Sequence, residues 1–249
     1  MSELQEAVDT LGTSDDQAHF ERYGPTTCPE APRQQHNIDF RVTQASDCAI
    51  ISAEISSAGV INLLAHCATA CLALLTKGLM IRGYITRGKI LHTNDHQIGT
   101  GLNTAASREK HVAVFQQNAD DRGTPFIEID SSVVAYVNSQ SDDCVKKIFD
   151  SQVKNDGELY AIFPFERLNH SFAIGGFGVQ FDPNKEKMQV DVVRGIIHRL
   201  KEQVERHIDK DNADAVRKSH HYLRVLDDQL VVCDRTEEMI DRLCRPFPN

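Results

Sequence analysis

The sequence lacks an excess of positive charge, which argues against one class of partner. Its 249 residues include 27 Lys and Arg against 36 Asp and Glu, so the formal net charge is −9. Proteins that coat nucleic acid present a basic surface to the phosphates. We therefore expect no nucleic-acid partner. A nucleotide pocket needs only a local cluster of cations, so the overall charge does not exclude one.

The chain also lacks regular cysteine spacing and a secretory leader pattern. Seven cysteines, an odd number without metal- or disulfide-type spacing, fit a reducing compartment. The first residues, MSELQE, are acidic rather than basic and then apolar. No internal repeat or low-complexity tract is evident. We expect a cytoplasmic protein.

One long run, residues 55–76, has no charged residue and approaches the length of a membrane span. Five polar side chains interrupt it, and Lys77-Gly78 ends it as a helix C-terminus does. A helix packed on a sheet must bury a broad apolar face, which gives the same composition. The pattern therefore predicts a buried helix, on the sheet or at a subunit interface, and no membrane partner.

The apolar periodicity predicts mixed α and β structure followed by helices. The predicted strands are 38–43, 48–54, 79–87, 89–93, 125–130, 158–165 and 172–180, and the predicted helices are 2–11, 58–77, 99–117, 131–136 and 142–149. From residue 187 onward apolar residues recur every three or four positions, which predicts helices over about 190–208, 212–231 and 235–244. We expect one mixed α and β domain over 1–185 and a C-terminal helical extension over 186–249.

The segment from Ile81 to Lys110 carries the most chemistry and reads IRGYITRGKILHTNDHQIGTGLNTAASREK. It predicts a strand, a tight reversal, a second strand and a helix opened by Gly99-Thr100-Gly101. Helix starts gather unpaired N–H groups and the positive end of the helix dipole, so they suit phosphates. Asn103, a neutral hydrogen-bonding residue, and Arg108, a permanent cation, can grip a ribose and a phosphate.

These motifs resemble the second half of the class III nucleotide cyclase domain. Its signature is R-x-G-I-x-x-G, a short hairpin and G-x-x-V-N-x-A-x-R; the matching residues here are Arg82, Ile85, Gly88, Gly99, Leu102, Asn103 and Ala105. The R-G-x-I-x-x-G form of the strand, and the segment QASDCAIIS at 44–52, are similar to the bacterial pyrimidine-cyclase branch used in anti-phage signalling. The resemblance covers about residues 38 to 130.

The resemblance implies a fold and a reaction. The fold would be α+β, a ferredoxin-like and mostly antiparallel core sheet covered by helices on one side. Two copies would form a head-to-tail homodimer with a shared active site. The enzyme would convert a pyrimidine nucleoside triphosphate, UTP favoured over CTP, to a 3′,5′-cyclic monophosphate and pyrophosphate. The product would switch on a separate effector protein.

The resemblance also assigns the metal site and the base-reading residues. Asp47 would bind one of two Mg²⁺ or Mn²⁺ ions, which prefer carboxylate and phosphate oxygens. Arg41 would read the base, and His96 with Asp95 would occupy the second base-reading position. The residues alone leave plainer alternatives open: an Asx-type turn at Ser46-Asp47, a solvated Arg41 and a hydrophilic hairpin tip at Asp95-His96.

For the reaction itself the resemblance assigns Asn103 to the ribose and the transition state. The family's arginine follows four residues later, where this chain has Ser107; Arg108 stands one place further on. That shift turns the side chain by about 100° around the helix. Arg87 and Lys89 are alternative sources of phosphate-binding charge, or surface residues.

The chain departs from the family at its front. The family opens with a strand of the form F-x-D-x-x-G-F that supplies the first metal-binding aspartate, and no such segment precedes Asp47. Either Met1 is an internal start or the cyclase is degenerate. We expect little turnover from the chain as it stands. A purine cyclase and a non-catalytic module that binds nucleotide or a partner are the alternatives.

Overall fold

The computed structural model describes residues 3–13, 38–119, 121–169 and 181–244, together with residues 18 and 22. The chain divides into two compact units, Met1–Pro164 and Phe165–Asn249. The first holds all the described strands, and the second holds two long helices. The fold is therefore mixed α and β. The predicted strand at 172–180 lies outside the described residues.

The helices and strands are numbered here in chain order. The helices are α1 (Glu3–Thr10), α2 (Ser57–Leu75), α3 (Thr100–Glu109), α4 (Ser131–Ser139), α5 (Asp143–Asp150), α6 (Pro183–His207) and α7 (Ala213–Leu243), with a 3₁₀ turn at Pro164–Leu168. The strands are β1 (Arg41–Ala45), β2 (Cys48–Ser52), β3 (Gly83–Ile85), β4 (Leu91–His92), β5 (Gln97–Ile98), β6 (Ile127–Ile129), β7 (Val153–Asn155) and β8 (Tyr160–Ile162). The predicted domain boundary between residues 185 and 186 falls in the first turn of α6.

The strands form one four-stranded sheet and two separate hairpins. The sheet order is β3-β6-β8-β7, in which β3 and β6 are parallel and the other two pairs are antiparallel. The hairpins are β1-β2 and β4-β5. From the sequence we expected a tight reversal between the predicted strands 79–87 and 89–93, so that these two would lie side by side. Instead β3 pairs with β6, and β4 pairs with β5, because the turn comes at residues 93–96.

The first two predicted strands, 38–43 and 48–54, are confirmed as the β1-β2 hairpin, with its turn at Ser46 and Asp47. Ala45 pairs with Cys48, and the register continues to Arg41 and Ser52. Ser46 has φ 60°, a left-handed conformation that two-residue hairpin turns require and that few residues other than glycine adopt. The turn therefore holds Asp47 at the exposed tip of the hairpin.

Helix α2 is the buried helix that the sequence predicted. Ser56 caps its start by accepting a hydrogen bond from Gly59 N–H at 3.1 Å. Its apolar side chains join residues from β6, β8, α4 and α5 in one core: Ile61, Leu64, Cys67, Ala68, Ile127, Ile129, Val133, Val137, Phe149 and Ile162. By length and composition this described helix could cross a membrane, but 61% of its apolar window is buried, which is consistent with a soluble protein.

Helix α3 is shorter than predicted and ends at Glu109 rather than at 117. Tertiary hydrogen bonds explain the difference. The buried carboxylate of Glu128 accepts the backbone N–H groups of Ala113 and Val114 at 2.8 and 3.1 Å. Gly123 and Thr124 both donate to the carbonyl of Val112. These partners replace the helical hydrogen bonds that the segment would otherwise make.

The second unit is a helical hairpin. Helix α7 runs unbroken for 31 residues, whereas the sequence predicted two helices with a break near 231–235. A buried seam of Val190, Ile197, Leu200, Val204, Tyr222, Leu226, Cys233 and Ile240 lies between α6 and α7. Arg194 of α6 pairs with Asp234 and Glu237 of α7, at 2.5 and 2.7 Å. These contacts hold the residues near 234 in the helix.

Candidate functional site

An open cavity of about 530 Å³ lies in the first unit. Its walls are the segment that ends β2 and follows it, the loop after β3, and β4. The lining residues are Asp39, Ser52, Ala53, Glu54, Ile55, Arg87, Gly88, Lys89, Ile90 and His92. The volume falls in the range of about 300–1,000 Å³ that small-molecule sites occupy.

His92 forms one wall of this cavity and ties the two hairpins together. Its side chain is buried, and its ring nitrogens lie 2.9 Å from the Thr43 hydroxyl and 2.7 Å from the Ser52 hydroxyl. Burial, together with the nearby positive charge of Arg41, lowers the pKa of His92 below its usual 6.5. The neutral ring can accept from one hydroxyl and donate to the other, so it fixes β4 against β1 and β2.

Arg41 lies beside the same cavity, on β1. Its Nε donates to the carboxylate of Asp39 at 2.7 Å, and its side chain is 34% exposed. Asp39 itself lines the cavity and has φ 45°, a strained conformation for a non-glycine residue. The ion pair orients the guanidinium but also occupies part of its donor set.

Arg87 and Lys89 stand where the chain leaves β3, and both are exposed. The guanidinium of Arg87 lies 4.8 Å from the centre of the Tyr136 ring, a cation–π contact that limits its motion. Asp95 and His96 lie in the exposed turn of the β4-β5 hairpin, three and four positions along the chain from His92 in the cavity wall. The predicted substrate-binding residues therefore gather around one cavity or on the hairpin that walls it.

The start of α3 packs on the loop after β3 through glycine backbones. A Cβ at Gly88 would lie 2.5 Å from Gly101 Cα, and a Cβ at Gly99 would lie 2.1 Å from the Lys89 carbonyl oxygen. Gly101 N–H donates to that carbonyl at 3.1 Å. Part of the helix N-terminus that we expected to suit phosphate is therefore occupied by the protein's own backbone.

Asn103 is exposed in the first turn of α3, and Arg108 lies on another side of the same helix. Five positions separate them, which places their side chains about 140° apart around the axis. Arg108 lies over Tyr84, 5.6 Å from its ring centre, and Tyr84 donates to the Asp130 carboxylate at 2.8 Å. Within one chain the structure does not bring Asn103 and Arg108 together.

Arg108 and Tyr84 line a second, smaller cavity of about 90 Å³ at the ends of β3 and β6. Burial raises the pKa of Tyr84, while the hydrogen bond that Arg108 donates to the Tyr84 oxygen raises the pKa of Arg108. Asp130 also caps α4 by accepting from Ser132 N–H. These contacts give Arg108 a structural role that is independent of a nucleotide.

Asp47 is at the hairpin tip, at the other end of β1 from Arg41. A strand rises about 3.3 Å per residue, so the strand alone separates them by about 13 Å. Burial, and then the negative charges of Asp47 and Glu109, raise the pKa of Cys48. Glu109, the last residue of α3, therefore lies close enough to the hairpin tip to act on Cys48.

The described residues do not fit a two-metal site within one chain. Asp47 is the single carboxylate that the resemblance assigns to metal, and no group of three or more His, Cys, Asp or Glu side chains that could hold an ion occurs among the described residues. Cys67 and Cys71 are buried free thiols in α2, as expected for core residues. A second metal-binding carboxylate would have to come from elsewhere.

Two residues of these sites were missed by sequence reasoning. His92 sits in a predicted strand, but its partners Thr43 and Ser52 are 49 and 40 positions away. Tyr84 sits inside the R-G-x-I-x-x-G strand as a variable position. No spacing rule in a single sequence links residues so far apart, although a histidine within an otherwise apolar strand is a usable signal.

No protein-family model, curated protein or solved structure matches the chain. The resemblance to the class III cyclase family therefore rests on the sequence motifs.

Proposed function

We propose that the chain is a pyrimidine nucleotidyl cyclase module of the class III type, with UTP as the favoured substrate. The ribose 3′ oxygen would attack the α-phosphorus and pyrophosphate would leave, as in other in-line phosphoryl transfers. Asn103 would orient the ribose, and Arg41 with the β4-β5 hairpin would contact the base. The product, cUMP or cCMP, would act on a separate effector.

The observation that carries this proposal is the contact between Gly88 and Gly101. Two of the family's glycine positions lie against backbone that a Cβ would not clear: Gly88 against Gly101, and Gly99 against the Lys89 carbonyl. The contact docks the start of α3 on the loop after β3 and leaves Asn103 exposed in the first turn. An exposed Asn103 suits an active site that two subunits share.

In a head-to-tail homodimer, Asp47 and Arg41 of one subunit would face Asn103 of the other. Both Asp47 and Asn103 are exposed in the single chain. Residues that a second subunit is to cover must be exposed before the two subunits associate. A Mg²⁺ or Mn²⁺ site would need a second carboxylate besides Asp47, since one aspartate is a poor site for two ions. We therefore expect the chain alone to turn over little or no substrate.

The test is a panel of the four radiolabelled nucleoside triphosphates with Mn²⁺, separated by chromatography. The chain would be assayed alone and extended at its N-terminus by a strand of the form F-x-D-x-x-G-F. We expect cyclic product from the extended chain, mainly from UTP. A product mainly from ATP or GTP would indicate a purine cyclase instead. No cyclic product from any substrate would refute the enzyme proposal.

A second candidate is a non-catalytic module that binds nucleotide or a partner protein. The location of the residues favours it: within one chain the cavity gathers groups suited to binding, whereas Asp47 lies at the far end of the hairpin. A nucleotide-dependent rise in the thermal unfolding midpoint, without turnover in the extended chain, would support this second function.

A further inference from the structure

The 530 Å³ cavity has the chemistry of a nucleoside-phosphate pocket carried by one chain. We propose that it binds a nucleoside phosphate, with the base against Ile55 and Ile90 and the phosphates at Lys89 and Arg87. The inference takes its ligand class from the proposed function but does not require turnover or a dimer. It assigns the ligand to the cavity rather than to the N-terminus of α3.

The apolar part of the cavity is suited to a planar ring. Ala53, Ile55 and Ile90 line it, and Ile55 is 48% exposed although it is a large apolar residue. Covering such a side chain with a base removes apolar surface from water, which favours binding. Ser52 and His92 also line the cavity, and because they are hydrogen-bonded to each other they keep its wall in place.

The mouth of the cavity carries the cations. Arg87 and Lys89 are exposed where the chain leaves β3, and the contact with Tyr136 limits where the Arg87 guanidinium can move. Two carboxylates also line the cavity. Asp39 is neutralised by Arg41 at 2.7 Å, while Glu54 lies on the segment after β2 and would repel a phosphate placed beside it. The phosphates are therefore expected on the side of Lys89 and Arg87.

The N-terminus of α3 is a weaker alternative for the phosphates. Gly101 N–H is already bonded to the Lys89 carbonyl, and Asn103 N–H is bonded to the Gly99 carbonyl. Since the same loop supplies that carbonyl and the Lys89 side chain, it closes the helix start and directs the ammonium group to the cavity. Anion binding in the cavity would then depend on the charged side chains of Lys89 and Arg87, and its affinity should fall as the salt concentration rises.

Three ligands separate the two halves of the pocket by calorimetric titration without metal: UTP, uridine and inorganic pyrophosphate. Lys89→Ala should weaken UTP and pyrophosphate by about tenfold, roughly 1.4 kcal/mol, and leave uridine unchanged. Ile55→Ser should weaken UTP and uridine and leave pyrophosphate unchanged. Lys147→Ala, an exposed lysine on α5 that does not line the cavity, is the matched control and should change none of them.

The proposal fails if UTP does not bind in the millimolar range, or if Lys89→Ala and Lys147→Ala have equal effects. It also fails if the affinity for UTP rises with protein concentration, because binding would then need a second copy. Thermal unfolding of each variant excludes misfolding as the cause. Binding by the cavity without cyclic product would refute only the enzyme; cyclic product with a KM insensitive to Lys89→Ala would refute only the cavity.

Discussion

A single buried histidine holds the wall of the candidate cavity. His92 lies between two hydroxyl groups from neighbouring strands, and its pKa is lowered mainly because burial disfavours the charged ring. The positive charge of Arg41 acts in the same direction, whereas Asp39 opposes it. The neutral ring is therefore the form that the folded protein prefers.

His92 should make the stability of the first unit depend on pH. Because its folded pKa lies below 6.5, the unfolded chain binds a proton that the folded chain does not as the pH falls below that value. The contribution of neutral His92 to the free energy of unfolding is fully present above pH 6.5 and is lost as the pH falls toward the folded pKa. Urea unfolding between about pH 5 and pH 7.5 measures this slope.

His92→Gln supplies the control for that slope. The glutamine amide can still donate to one hydroxyl and accept from the other, but it does not titrate. The remaining histidines are the same in both proteins, so their effects cancel in the comparison. A variant that lost stability with the same pH slope as the parent would show that His92 is not the group responsible.

The packing of the start of α3 on the loop after β3 requires glycine, because Gly88 lies against the backbone of Gly101. Gly88→Ala would place a Cβ 2.5 Å from backbone atoms that cannot rotate away. We expect a loss of about 1–3 kcal/mol in the free energy of unfolding, as overpacking commonly costs. Chemical denaturation measures it.

Gly195→Ala, in α6, is the opposite case and serves as the control. A Cβ there would meet nothing closer than Arg199 at 3.8 Å. Alanine is the better helix former by about 1 kcal/mol, so this variant should be more stable than the parent. If both glycine variants shifted stability in the same direction, the contact at Gly88 would not explain its effect.

The helical hairpin of the second unit contains one polar atom that its seam does not satisfy. Gln229 is 5% exposed, and its Oε1 has no hydrogen-bond partner among the described residues. Leaving a buried acceptor unpaired costs about 1–3 kcal/mol. Gln229→Met keeps the length of the side chain and removes that acceptor, so we expect a gain of about 1 kcal/mol.

Thermal and chemical unfolding of Gln229→Met would check that gain, with Asp228→Asn, an exposed neighbour on α7, as the control. A neutral effect at 228 and a gain at 229 would locate the cost in the seam. A loss of stability at 229 would mean that the glutamine makes a contact worth more than its desolvation.

For the whole molecule, the proposed shared active site has a stoichiometric consequence. Asp47→Asn and Asn103→Ala would each be made in the N-terminally extended chain, which is the form expected to have activity. Each variant alone should be inactive. In a mixture, half of the dimers contain one chain of each kind, and one of their two sites is intact. Mixing should therefore restore about one quarter of the parent activity if the dimer has two equivalent shared sites.

Chromatographic measurement of cyclic product from the mixed and unmixed chains checks this expectation. Mixing two preparations of Asp47→Asn carrying different affinity tags controls for subunit exchange alone. No recovery of activity in verified mixed dimers would mean that Asp47 and Asn103 act within the same chain, contrary to the shared-site arrangement.

Local patterning was enough to predict much of the fold. The alternation at 38–54 predicted the first hairpin, with a turn over 44–47 that the structure narrows to Ser46 and Asp47. The uncharged run after 55 predicted a buried helix. Local patterning could not predict that α3 ends at Glu109 or that α7 continues without a break. In both cases partners distant in sequence, Glu128 in one and Arg194 in the other, decide the backbone conformation.

The amino-acid order by itself determined the local elements, the mixed α and β composition and the glycine, asparagine and aspartate positions on which the cyclase proposal rests. Tertiary structure decided which of those positions meet. It placed Arg87 and His92 on the lining of one cavity and paired Arg41 with Asp39 of that lining. It turned Arg108 toward Tyr84, and it left Asp47 and Asn103 exposed. The physical reason is that dihedral preferences act between neighbours, whereas burial, ion pairs and hydrogen bonds join residues that are dozens of positions apart.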